Sequence, residues 1–157
     1  MSFKNSAELD YPVEEVFKVF MRSAKKDFPK FNEKNPIGTS VTKKGGAYAG
    51  KSVDMNVEIT DYKENELYQI TSVRNKLAFV STYKFERIDD NKCIFGLEES
   101  DSTAGIFKGL NAILQNFLFK KRITKRFQFL IQGLEYEMKN YREMINKNAK
   151  KENKVTL

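Results

Sequence analysis

The chain has no histidine, no tryptophan, one cysteine and only three prolines in 157 residues. Without histidine it lacks the commonest general base and the commonest metal ligand, and one thiolate cannot build a metal site. Triad and metal chemistries are therefore close to excluded, and neither a metal nor a cofactor is expected. Cys93 has no second cysteine to bridge to, which agrees with a reducing, cytoplasmic setting, and its neighbours Ile94 and Phe95 read as plain packing. No run reaches the roughly 20 apolar residues of a membrane span. Residues 1–20 hold no basic stretch leading into an unbroken apolar run, so no leader is expected. No glycine-rich loop has phosphate-cradling spacing, and Gly45-Gly46 reads as a hairpin turn.

What is present is bulk. Thirteen Phe and seven Tyr, in a chain 40% apolar, provide a thickly aromatic core for one ordinary domain. Lys and Arg number 28 against 21 acidic residues, a formal charge of +7. Part of that excess sits near the C-terminus: residues 1–146 read as the domain and 147–157 as a basic flexible tail with little to bury.

Residues 3–9 alternate, with Phe3, Asn5, Ala7 and Leu9 on one face, as a half-buried strand does. A helix follows, opened by Pro12 and the acidic pair Glu14 and Glu15. Its apolar stripe is Val13, Val16, Phe17, Phe20, Met21 and Ala24, and Pro29 marks its end. From Gly38 to Asp101 the period is two, with Val53, Met55, Val57 and Ile59 alternating against polar neighbours. Short connections between the segments 39–44, 52–60, 67–74, 77–88 and 92–101 predict an antiparallel meander. In the fourth of these Leu77, Phe79, Tyr83 and Phe85 look inward, with Ser81 a polar exception among them. After Gly105 two helical stripes follow, Ile106–Phe117 and Ile123–Tyr141, about 120° apart on the helical wheel, which predicts a break or kink near 119–122. Gly133 lies inside the longer stripe, where its missing side chain would admit sheet or ligand, or serve packing alone.

The pattern is α+β, in the order β-α-β5-α, with a six-stranded antiparallel sheet around a long C-terminal helix. In that order, and in Leu9-Asp10-Tyr11-Pro12-Val13-Glu14-Glu15-Val16-Phe17 above all, the chain resembles the SRPBCC superfamily of START domains, birch-pollen-allergen proteins and polyketide cyclases. Residues 68–75, with 110–114 and 119–122, are similar to a small bacterial family within it whose function is uncharacterised. The resemblance implies a helix-grip fold with a pocket between sheet and last helix, commonly holding an apolar small molecule; it does not imply catalysis. Relative to larger members one strand is missing, and the second early helix is absent or reduced to a loop near Phe31, which implies a smaller cavity.

The ligand-binding candidates are Met55, Phe79, Ser81, Tyr83, Phe127, Leu130 and Leu134, the hydroxyls of Ser81 and Tyr83 orienting the ligand. The plain alternative is that these residues are core, which any stripe of that kind must supply. Glu99 and Asp101 are the carboxylates available for acid–base work near Tyr83 and Ser81. Charged side chains are rarely buried, however, so the reading that both reach solvent takes precedence. Lys121, Arg122, Lys125 and Arg126 form a basic ridge, read as a solvated face ahead of a nucleic-acid or peripheral membrane surface. The expectation is a carrier or sensor of a hydrophobic small molecule, with a cyclase-like enzyme and a filled-core scaffold as alternatives. Oligomeric state is not legible.

Overall fold

A computed structural model describes residues 2–48, 51–74, 77–101 and 110–155, with side chains described for 3–44, 54–74, 77–100 and 121–154. In order these form β1 (Ser2–Leu9), α1 (Val13–Lys26), β2 (Ser40–Tyr48), β3 (Lys51–Lys63), β4 (Leu67–Arg74), β5 (Leu77–Asp89), β6 (Lys92–Asp101) and α2 (Leu110–Val155). The strands make one antiparallel sheet in the order β1-β6-β5-β4-β3-β2. Five strands pair as a meander, and β1 closes on β6 with Leu9 opposite Cys93 and Ser2 opposite Ser100. Among the described residues no helix separates α1 from β2, as expected from the reduced loop near Phe31.

α1 begins where Pro12 can supply a carbonyl but no amide. That carbonyl accepts hydrogen bonds from the amides of Glu15 and Val16, both 3.1 Å. Val13, Val16, Phe17, Phe20 and Met21 are buried as the stripe predicts, and Val19 joins them. Phe17 and Phe20 meet Phe85 edge-on at centroid separations of 5.0 and 5.3 Å, and Phe85 meets Phe95 at 5.2 Å. Offset and edge contacts of this kind favour the ring quadrupoles as well as burying area. Cys93, fully buried, packs beside them as expected.

Bulges bend the sheet. Gly45 and Gly46 do not form the expected hairpin turn; they lie inside β2, where Lys44 pairs with Asp54 and Ala47 with Ser52. The extra residue on β2 makes a bulge, a backbone irregularity that glycine permits as readily as it permits a turn. A second bulge between Ile59 and Asp61 reverses the phase of β3. Val57 and Ile59 face inward before it, and Tyr62 after it, where its ring meets Phe17 at 5.9 Å and Phe31 at 6.3 Å. On the opposite face Gln69 links Thr60 and Thr82 through hydrogen bonds of 3.0 and 2.9 Å, which satisfies the buried Thr82.

α2 lies against the inward face, burying Phe127, Leu134 and Met138. Of the break or kink expected near Phe119–Arg122, a break is absent: α2 runs continuously from Leu110 to Val155. Nothing in 110–132 is proline or glycine, so a shift in the apolar stripe changes what the helix faces without interrupting its backbone. The segment expected as a tail is also helical, as far as Val155, with residues 147–154 exposed. Lysine, alanine and glutamate favour helix without needing an apolar contact.

Candidate functional site

A cleft of about 480 Å³ opens between α1, the β3–β5 part of the sheet and α2. Val57, Tyr68, Ile70 and Tyr83 form its sheet wall. α1 supplies Phe20 and Ser23 and its C-cap Asp27, and α2 supplies Leu130, then Gly133 and Leu134 three and four residues on, then Glu137, offsets that keep each set on one helix face. Gly133 borders the cleft at an exposed position of α2. A Cβ built there would meet no atom within 4 Å, so the absent side chain faces open space and serves no packing contact. Phe129 and Tyr136, 61% and 64% exposed, stand beside it on the rim. Across the mouth Lys43 of β2 pairs with Asp27 at the C-cap of α1, at 3.0 Å.

Two phenols lie in the wall. The Tyr68 ring is 5.9 Å from that of Tyr83, and Phe20 packs on both at 5.7 and 4.8 Å. Burial raises the pKa of each above the usual tyrosine range. For Tyr68 the adjacent Tyr83 and Asp27 add to the rise; for Tyr83 Glu99 and Asp27 add to it and Arg126 opposes it. Both are therefore neutral hydroxyls at physiological pH, able to donate one hydrogen bond and accept others.

Of the residues expected to bind ligand, Tyr83, Leu130 and Leu134 line this cleft. Phe127 is buried behind it, stacked on Phe95, and Met55 is half-buried against the core outside its lining. Phe79, 39% exposed, and half-buried Ser81 lie farther along β5 and do not line it either. Ser81 pairs with Ile70 of β4 on one side and Glu99 of β6 on the other. Glu99 shares the inward face of β6 with Phe95 and Leu97; its carboxylate is 3.8 Å from the Arg126 guanidinium and outside the cleft lining. Asp101 pairs through its backbone register with Phe79, and its side chain lies outside the described residues.

The basic ridge is exposed at Lys121, Arg122, Lys125 and Arg126. Lys125 lies over the Phe129 ring at 5.8 Å, and Arg126 turns to Glu99. Side chains of the expected apolar stripe Ile106–Phe117 lie outside the described residues. Among the described residues no cluster of His, Cys, Asp and Glu could hold a metal, and no helix is long and apolar enough to cross a membrane.

Sequence reasoning missed Phe20, Val57, Tyr68 and Ile70 as parts of the wall. Phe20 reads as core stripe, which it also is. Tyr68 needed the phase of β4, and the alternation of Tyr68, Ile70 and Ser72 against Leu67, Gln69 and Thr71 carries that signal only weakly.

The profile of the family described as domain of unknown function DUF3284 matches residues 3–120. The chain belongs to the DUF3284 family. A comparison with curated protein sequences finds no match. Among solved structures, this DUF3284 chain is similar to TTHA0849 from Thermus thermophilus, with 14% identity, 88% of this chain and 97% of that one covered, and a TM-score of 0.57. A START superfamily protein from Mycobacterium smegmatis aligns at 11% identity and TM-score 0.55, covering 88% and 97%. Ara h 8.0201 aligns at 17% identity and TM-score 0.52, covering 90% and 96%. The DUF3284 chain thus has the helix-grip fold of START and birch-pollen-allergen-like proteins, as the sequence resemblance implied.

Proposed function

We propose that the protein binds a hydrophobic small molecule in the cleft between α1, the sheet and α2, and carries or senses it. The observation that carries this reading is a cleft whose inner wall is the largely apolar set Phe20, Val57, Ile70, Leu130 and Leu134 with the two phenols. Its charged groups Asp27 and Glu137 lie at exposed positions and Lys43 at a half-buried one, and Gly133 leaves open space on its border. A cleft of about 480 Å³ lies within the common range for small-molecule sites. The likeness to a START superfamily protein points the same way. Glu99, the described candidate carboxylate, stands outside the lining beside Arg126, and the carboxylates that do line the cleft, Asp27 and Glu137, are exposed and lack the desolvation that acid–base work requires.

An apolar fluorescent probe titrated into the purified protein is expected to bind at one equivalent. Gly133→Leu should weaken that binding at least tenfold while leaving the circular dichroism spectrum intact, because the new side chain projects into the cleft. Mass spectrometry of molecules extracted from the protein would identify a retained ligand. Failure of the wild-type chain to bind any apolar probe would remove the carrier reading and leave the fold as a scaffold.

A further inference from the structure

We propose that the cleft selects an uncharged, largely apolar molecule carrying a carbonyl-type hydrogen-bond acceptor, and that the Tyr68 hydroxyl donates to that acceptor. This rests on the cleft being a ligand site and specifies what it takes. Tyr68 lines the cleft yet is only 2% exposed. Among the described residues no protein group hydrogen-bonds its hydroxyl. A hydroxyl that the protein leaves without a partner is costly unless water or a ligand reaches it, and native interiors seldom leave one unsatisfied. Nor can the ring swing outward to find solvent, because Phe20 and Tyr83 hold it at 5.7 and 5.9 Å. A ligand acceptor entering the cleft would satisfy the donor that the fold leaves unpaired.

The charges around the phenols decide against an anion. Asp27 acts on both hydroxyls and Glu99 on that of Tyr83, with Arg126 opposing them. Lys43, the cation of the cleft wall, is already paired with Asp27 at 3.0 Å. A carboxylate ligand would therefore lose its hydration in a region biased against negative charge, whereas a ketone or ester oxygen accepts the phenol proton without bringing a charge. Asp27, exposed and held by Lys43, and Glu137, exposed on the α2 side of the mouth, are poor sites for a ligand cation. The volume has room for a body of two fused rings or more.

Three probes with one body test this: acetylnaphthalene, ethylnaphthalene and naphthoate, titrated calorimetrically into the wild-type protein and Tyr68→Phe. The ketone should bind the wild-type chain roughly threefold to tenfold more tightly than the hydrocarbon, the scale of one net hydrogen bond. Naphthoate should bind weakest. In Tyr68→Phe the ketone's advantage should vanish while ethylnaphthalene binds at least as well as before. Equal affinities for ketone and hydrocarbon in the wild-type protein, as a resident water on Tyr68 would produce, overturn the proposal and leave the cleft a ligand site. So does tightest binding by naphthoate, or a ketone advantage that survives in Tyr68→Phe. Binding of none of the three overturns the ligand site itself. Should Tyr68→Phe not fold, the wild-type series alone decides.

Discussion

The ring of Phe127 on α2 lies parallel to that of Phe95 on β6, with an interplanar angle of 7° and centroids 6.1 Å apart. Both are buried, so this stack is one of the contacts that hold the last helix to the sheet. Phe127→Ala should destabilise the protein by about 3–5 kcal/mol, and Leu134→Ala, one face-repeat along, by about 2–5 kcal/mol. Urea midpoints unchanged in both variants would contradict the helix's packing against the sheet.

Gly133 yields a prediction of opposite sign. An alanine there meets no neighbour within 4 Å and removes a glycine from a helix interior. Gly133→Ala should therefore stabilise by up to about 1 kcal/mol, read as a raised melting temperature. A marked loss of stability would mean that the space is filled.

Stability should also depend on alkaline pH through Cys93. Burial pushes this thiol from its ordinary 9.0 up to about 11. Between those values the unfolded chain has released the proton and the folded chain still holds it, so the folded state binds more protons and stability falls as pH rises. The contribution is complete below pH 9.0 and lost by about 11. Tyr68 and Tyr83, also raised by burial, extend the decline upward from their ordinary 10.0. Denaturant midpoints measured across this range should drop, and Cys93→Ala should flatten the early part of the fall. Identical profiles for the two proteins would refute the assignment.

The Arg142 guanidinium donates through two nitrogens to both carboxylate oxygens of Glu15, at 2.9 and 3.0 Å, and lies over the Tyr11 ring at 4.5 Å. It ties the start of α1 to the far half of α2. Arg142→Lys retains the charge but not the planar fork, and should cost about 1 kcal/mol, a loss that added salt reduces in the wild-type protein. A double-mutant cycle with Glu15→Gln measures the coupling directly; a value near zero would show the pair to be incidental.

The basic ridge calls for little change in stability. Arg122 is exposed and has no ion pair among the described residues, so Arg122→Ala should stay within about 0.5 kcal/mol of wild type. If the same substitution abolished salt-dependent binding to nucleic acid or anionic vesicles, the ridge would be a binding surface after all.

Most of the architecture was legible because it rests on periodicity. The stripe from Val13 to Met21, the alternation from Met55 to Ile59 and the run from Phe127 to Met138 each declare a buried face, and short connections leave an antiparallel meander as the economical pairing. Glycine pairs and stripe shifts were less informative. Gly45-Gly46 suits a bulge as well as a turn, and a stripe can rotate around an unbroken helix, so neither local chemistry settles the backbone path. The cleft depended on packing at a distance. Phe20 faces both core and cleft, Tyr68 enters only once β4 pairs with β5 in a register that sets it opposite Tyr83, and Arg126 reaches Glu99 only when α2 crosses the sheet. A sequence states which side chains want burial, because that preference belongs to each residue; which of them face a neighbour and which face empty space is decided by elements meeting from far apart in the chain.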